Sequence, residues 1–561
     1  MARYDFCVPD QPRRPTPGPT PPDPDAPLNY VVDRRKVVFG IGFGAMAAAG
    51  TRHLDTQGDD GVSQVLSTGS ETAATETTIA PDPVTIPFGE APPTNDPFEA
   101  PVLDESARLA PGATADVVFT GARVIDPETG FDRIANVAIA GSTIVEISDQ
   151  PIPATRTLPV DGHVLSPGFI DMLGSQINGY GEWWKVADGV TTNVNMHGIR
   201  DDAREFYSEW EAAGSPINYG GAAHTSEVRL NAVGLDIYTS ADGTELSTIS
   251  SAVEAQINGG YLGIHSQPEY TPGVSPDELT LMGQIAAELG VPLCVHARFS
   301  DNQAPGIQAE AMAELIDVAR NTGCHVHVEH LNSTGGTGRM SEALAEMQAA
   351  IDEGLRMTAC MYPYDFWATY LKSARFDDWQ NKYGISYDKL QVAGTNERLT
   401  AETYEQARDA NALTAAFVIP PEDLDLAIQA PFMMIGSDAI LQTRHNNHPR
   451  STGCFARTIG VYARERGIVS LPTALEMMTI RPANLLAISS PSMERKGRLQ
   501  IGADADITIF DPQTIVDSST IENPAQESVG VTYVYVNGTE VRNPDGNVTS
   551  ALPGRGIRSF A

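Results

Sequence analysis

The 561-residue chain is poor in cysteine, in basic residues and in long apolar runs. Its five cysteines, Cys7, Cys294, Cys324, Cys360 and Cys454, are scattered without paired spacing, which excludes a disulfide scaffold and a Cys-rich zinc module. Against 37 Lys and Arg stand 72 Asp and Glu, a formal net charge of −35, so the long-range field repels phosphate backbones and anionic lipid. That argues against nucleic acid as a partner and against extensive membrane contact. No G-x-G-x-x-G follows an apolar strand, which removes the usual signature of a dinucleotide-binding sheet. What the chain does have is 41% hydrophobic residues, enough for a large buried core, and eleven histidines, several of them at the ends of apolar runs.

Proline is unevenly spread: 17 of the 40 lie in residues 1–112, among repeated Thr, Ser, Asp and Glu, a composition that cannot bury enough surface to offset its ordering entropy. One apolar run interrupts this stretch, residues 37–50, preceded by Arg34, Arg35 and Lys36 and ending in small residues. It is shorter than the roughly 20 residues of a membrane span, and it fits the apolar region and cleavage site of an export signal of the twin-arginine type. We expect a leader at 1–50, exported across the cytoplasmic membrane, and a disordered linker at 51–112. From residue 113 to 165 short alternating segments such as "ADVVFTGARVID" read as strands, and 488–561 has the same texture. Strands at both ends need partners to cover their apolar faces, so the two ends are expected to form one small β-sandwich.

Between them, residues 166–487 repeat an order of apolar strand, loop and amphipathic helix. Eight strands are expected at 164–172, 190–196, 216–224, 260–266, 292–298, 325–331, 356–364 and 432–439. Intervening segments such as 275–290, with a Ser cap, a Glu three residues on and a closing Gly, read as helices, as does 308–323. Eight such units predict an α/β fold of the (β/α)8 TIM-barrel type, in which chemistry sits at the C-terminal strand ends; an open doubly wound sheet is the alternative. In a closed barrel His197 after strand two, His296 at the end of strand five, His330 at the end of strand six and Asp438 at the end of strand eight meet at one mouth. Three imidazoles with a carboxylate nearby suit zinc with a position left for water.

These residues carry a family resemblance. "SPGFIDM" (166–172), "DGVTT" (188–192), "YTPG" (270–273), "VHAR" (295–298), "EHLNSTGG" (329–336), "YPY" (362–364), "GSDA" (436–439), "HPRSTGCFAR" (448–457) and "KGRLQIGADADITIFDP" (496–512) stand in the order found in the amidohydrolase superfamily. From about residue 116 onward the chain resembles its D-aminoacylase (N-acyl-D-amino-acid deacylase) and dihydroorotase-like branch. The resemblance implies a metal-bearing barrel, with His296 and His330 as metal ligands and Asp438 as the catalytic carboxylate. It also implies a His-x-His pair after "PGFID", yet here Leu173, Gly174 and Ser175 follow Met172, so a single zinc ion on His197, His296 and His330 is expected. Cys360 stands where relatives carry an acidic residue before "YPY".

Two readings follow from the sequence. In one, zinc-activated water hydrolyses a non-peptide C–N amide, with Asp438 moving the proton. Arg298 and Arg450 would receive the carboxylate of an N-acyl amino acid, and Tyr362 and Tyr364 would donate hydrogen bonds to it. The substrate is then a small-molecule N-acyl amino acid or a cyclic amide, as in dihydroorotate. In the other, loss of the strand-one pair leaves a catalytically silent binding domain. His224 is a further candidate for substrate contact, while His265 and His327 are expected to pack or hydrogen-bond locally.

Overall fold

A computed structural model describes residues 87–174, 177–301, 306–440 and 447–560. The expected leader and the first part of the expected linker lie outside these residues. The eight expected barrel strands are present, as Phe169–Asp171, Val190–Ile199, Asn218–His224, Ile264–Ser266, Leu293–Val295, Val326–Val328, Met357–Met361 and Met433–Ile435. They pair in that order, all parallel. Strand eight returns to strand one through the parallel bridge of Gly174 with Ala439 and through the Ser437 amide, which donates to Asp171 Oδ1 at 3.0 Å. The arrangement is a (β/α)8 TIM barrel, and the doubly wound alternative falls away.

Local chemistry explains the intervening helices. Pro276–Leu289 starts on Ser275, whose hydroxyl accepts the Glu278 amide at 3.1 Å, and stops at Gly290 with φ 66°. Gln308–Thr322 ends the same way at Gly323. Their buried faces, among them Leu279, Met282, Met312 and Leu315, pack on one another and on the barrel wall.

The two flanks form a nine-stranded sheet with its own core, which includes Phe119, Val137, Leu165, Ile507 and Tyr535. This is the β-sandwich expected from both ends of the folded region. The segment expected as one strand at 164–172 serves both layers: Val164–Pro167 pairs with Ile507–Phe510 in the sandwich, and Phe169–Asp171 is barrel strand one. Three further features depart from expectation. Residues 98–112, expected as linker, are held on the sandwich by Phe98 against Phe131 and by the Leu103 and Asp104 amides, which donate to the Ile501 carbonyl. The last dozen residues run back to the barrel, where Gly556 bridges Tyr219 and Ile557 is buried beside strand residues. A three-stranded sheet of Trp367–Tyr370, Leu390–Val392 and Leu413–Ala416 is inserted between strands seven and eight. No helix of the described residues is long and apolar enough to cross a membrane.

Candidate metal centre

The barrel brings His197, His296 and His330 together at its mouth. His197 sits where strand two loses regular register between Asn195 and Ile199, which turns its ring toward strand six. His296 follows strand five directly, and its amide still donates to the Ser266 carbonyl at 3.0 Å. His330 has φ 29°, a strained value for an imidazole-bearing residue, fixed because its amide donates to Cys360 Sγ at 3.2 Å and its carbonyl accepts the Ser333 amide at 2.8 Å. Cys360 therefore shapes the turn that carries a site histidine. Burial raises its thiol well above the ordinary value, and does the same for Cys294, so both behave as small buried groups.

The nitrogens face one another. His296 Nδ1 lies 3.2 Å from His330 Nε2, and His197 Nε2 lies 3.3 Å from Glu329 Oε2. The facing atoms of His197, His296, Glu329 and His330 all fall within 4.8 Å of one another. Four donors about 2.1 Å from a shared ion would stand roughly 3.4 Å apart, so this donor set fits a zinc-sized cation. Burial holds His197, His296 and His330 below the ordinary imidazole value, which favours the neutral form a metal requires. The far nitrogens are anchored as well. His296 Nε2 meets Glu269 Oε2 at 2.7 Å, and His330 Nδ1 meets Ser333 Oγ at 3.2 Å.

Asp438 reaches this cluster from strand eight, with Oδ2 3.9 Å from His330 Nε2 and 2.8 Å from Arg450 Nη2; its φ of 48° aims the side chain at the mouth. Arg450 is fully buried over the Tyr362 ring at 4.5 Å, and among the described residues its Nε and Nη1 have no hydrogen-bond partner. The Tyr362 hydroxyl is likewise buried, with no hydrogen-bond partner among the described residues. The other two substrate-contact candidates are committed elsewhere. Arg298 is held by Glu314, at 2.7 Å, and by the Val274 carbonyl, and Tyr364 donates to Asp517 Oδ2 at 3.1 Å. Partners on the following helix and on the C-terminal segment claim these side chains. His224 serves as the N-cap of the helix Thr225–Val233.

Reading the sequence alone missed Glu329, Glu269 and Arg375. His265, expected to pack or hydrogen-bond, does so at the site itself, with Nδ1 2.8 Å from Glu329 Oε1; burial lowers it to about 3. Burial raises Glu329 to about 8, opposed by nearby His197. Arg375 arises in the inserted segment, stacked over Trp367 at 4.1 Å with Nε 3.6 Å from Glu269 Oε2. The Glu in "EHLNSTGG" was a visible signal, because a carboxylate beside a strand-end histidine is a ligand type for zinc.

On the strand-one side, Gly174 passes so close to Asn193 that a Cβ there would fall 1.8 Å from Asn193 Oδ1. Asp171 is tied to Lys185 at 2.6 Å and to Ser437 at 2.5 Å.

A parallel barrel whose strand ends gather imidazoles and carboxylates is the architecture of a metal-dependent hydrolase. Residues 264–542 match the model of the Amidohydrolase family. The chain is 27% identical over 466 residues to N-acyl-D-glutamate deacylase of Alcaligenes xylosoxydans xylosoxydans, covering 76% of this chain and 93% of that one. It is 26% identical over 467 residues to D-aminoacylase of the same organism, covering 76% and 94%. A solved N-acyl-D-glutamate deacylase from Bordetella bronchiseptica, complexed with zinc and a phosphonate inhibitor, superposes with TM-score 0.69 at 25% identity, covering 80% of this chain and all of that one. The chain is similar to amidohydrolases along three quarters of its length and is a hydrolase of non-peptide C–N amide bonds. The silent-domain reading loses its support.

Proposed function

We propose that this protein is a zinc-dependent N-acyl-D-amino-acid deacylase. The observation that carries the reading is the convergence of His197, His296 and His330 on one point with Asp438 in reach. The names of the relatives support the D-series and a linear N-acyl substrate over a cyclic amide. His197, His296 and His330 would hold the zinc ion, which when bound would polarise the scissile carbonyl and lower the pKa of a bound water. Asp438 takes a proton from the attacking water and returns it to the departing nitrogen, so the acyl carbon gains oxygen, the C–N bond breaks and an amine leaves. Arg450 holds Asp438 through Nη2, while its Nε and Nη1 are free to receive the substrate carboxylate. The Tyr362 hydroxyl donates a hydrogen bond to the bound substrate. Its low-dielectric setting strengthens both contacts.

Purified protein is expected to hold about one zinc per chain and to release free amino acid from N-acetyl-D-amino acids and not from their L counterparts. Turnover of neither series by zinc-loaded protein would sink the proposal. The sequence at Arg34 and Arg35, with the apolar residues that follow, supports export by a twin-arginine route. Cell fractionation of an R34K/R35K variant tests it: retention inside the cytoplasmic membrane is expected, and unaltered export would overturn it.

A further inference from the structure

The group at the barrel mouth contains one donor that the three-histidine reading leaves idle. Glu329 is completely buried, and its two oxygens have different surroundings. Oε1 is fixed by His265 Nδ1 at 2.8 Å. Among the described residues Oε2 has no hydrogen-bond partner, and its 3.3 Å approach to His197 Nε2 is not a hydrogen bond. A fully buried carboxylate oxygen without a donor is costly, and Glu329 is the one such carboxylate among the described residues that is grouped with three imidazole nitrogens, surroundings that a cation would complete. The neighbours of Oε2 are the three imidazole nitrogens already described. His265 in turn does for Glu329 what Glu269 does for His296: a second group behind the donor fixes its orientation.

Resting on the zinc reading above, we propose that Glu329 is a fourth protein ligand, binding through Oε2, so that the site is a three-histidine, one-carboxylate centre for a single divalent cation of the zinc class. Its carboxylate supplies, from strand six, the additional ligand that Leu173 and Gly174 do not supply from strand one. Three neutral imidazoles leave a divalent charge uncompensated; one carboxylate halves it. Four protein donors with a water would give the ion five neighbours, a number that catalytic zinc reaches at times.

The test compares full-length wild type, E329Q, E329D and H330A, each stripped of metal and titrated with zinc, with zinc X-ray absorption on the loaded forms. Wild type is expected to show five nitrogen or oxygen neighbours. The isosteric E329Q is expected to lose one of them and to bind zinc at least about 100-fold more weakly. E329D keeps the charge on a shorter arm, and an intermediate affinity supports ligation. Wild-type affinity and neighbour count in E329Q would overturn the assignment, as would normal zinc binding with activity alone lost. H330A separates loss of the whole zinc site from loss of one ligand. If it and the wild type both fail to bind zinc, the zinc reading fails; if only E329Q behaves as wild type, Glu329 alone is reassigned.

Discussion

On one side of the barrel mouth, strands two, five and six present His197, His296, Glu329 and His330, whose inward atoms face one another at 3.2 and 3.3 Å. On the other side, strands one and eight present Asp171, whose oxygens accept from the Leu173 amide at 3.2 Å, the Ser437 amide at 3.0 Å, Lys185 Nζ at 2.6 Å and Ser437 Oγ at 2.5 Å. Both sides are buried and polar. They differ in what surrounds the carboxylate. Asp171 has an ammonium fixed against it, and its oxygens meet four donors. Glu182 beside it keeps Oε2 without a partner among the described residues, yet faces Asn193 and no imidazole. On the histidine side the open oxygen of Glu329 is grouped with three imidazole nitrogens, and that grouping of donor types, rather than an unpaired oxygen by itself, marks a cation site.

The largest break in this contrast is His330→Ala. It is expected to abolish stoichiometric zinc binding and to lower kcat/KM by on the order of 10^3-fold or more, checked by metal analysis and initial rates. Lys185→Met should do the converse. Stranding Asp171 in the interior is expected to cost about 3–5 kcal/mol of stability, read by denaturant unfolding, with zinc content unchanged. Zinc loss in that variant would show that the two sides are not separate. Glu269→Gln weakens the support behind His296 and is expected to reduce zinc affinity about 10–100-fold in a competition titration, leaving apo stability closer to wild type than Lys185→Met does.

The smallest effect probes the barrel interior beneath both sides. His327, bonded to Thr358 at 2.9 Å, is lowered by burial to about 3. Because its folded value lies below the unfolded one near 6.5, the unfolded chain takes up the proton first, and stability falls as pH drops from 6.5 toward 3. His327→Gln should flatten that slope by at most about 1.4 kcal/mol between pH 6.5 and 5.5, seen in pH-dependent melting of the apo protein. An unchanged slope would mean that His327 does not titrate with unfolding.

The barrel was legible because its signal is local and repeated: each strand is an apolar run and each helix carries its own cap and stop, as at Ser275 and Gly290. Strand ends placed His296, His330 and Asp438 correctly at one mouth, since a parallel barrel converges them whatever their sequence separation. What failed to show depended on partners supplied by other elements. Glu314 takes Arg298 from the helix after strand five, and Asp517 takes Tyr364 from the C-terminal segment. Arg375 lies in an irregular stretch with no period to place it. The sheet holding Trp367–Tyr370 was invisible because its strands are short and pair antiparallel between barrel units. That His265 packs or hydrogen-bonds was expected; that its partner is Glu329 was not, because that residue comes from two strands further on.

The shared stretch from Val164 to Asp171 bears on how this molecule can be taken apart. Its first half is a middle strand of the sandwich and its second half is the first stave of the barrel, with a single residue, Gly168, between them. A chain cut at either side of that glycine loses a strand from one layer, and the C-terminal dozen residues anchor the other end under strand three. The barrel therefore cannot be excised as a cassette: any chimera or shortened form must carry both flanking segments with it.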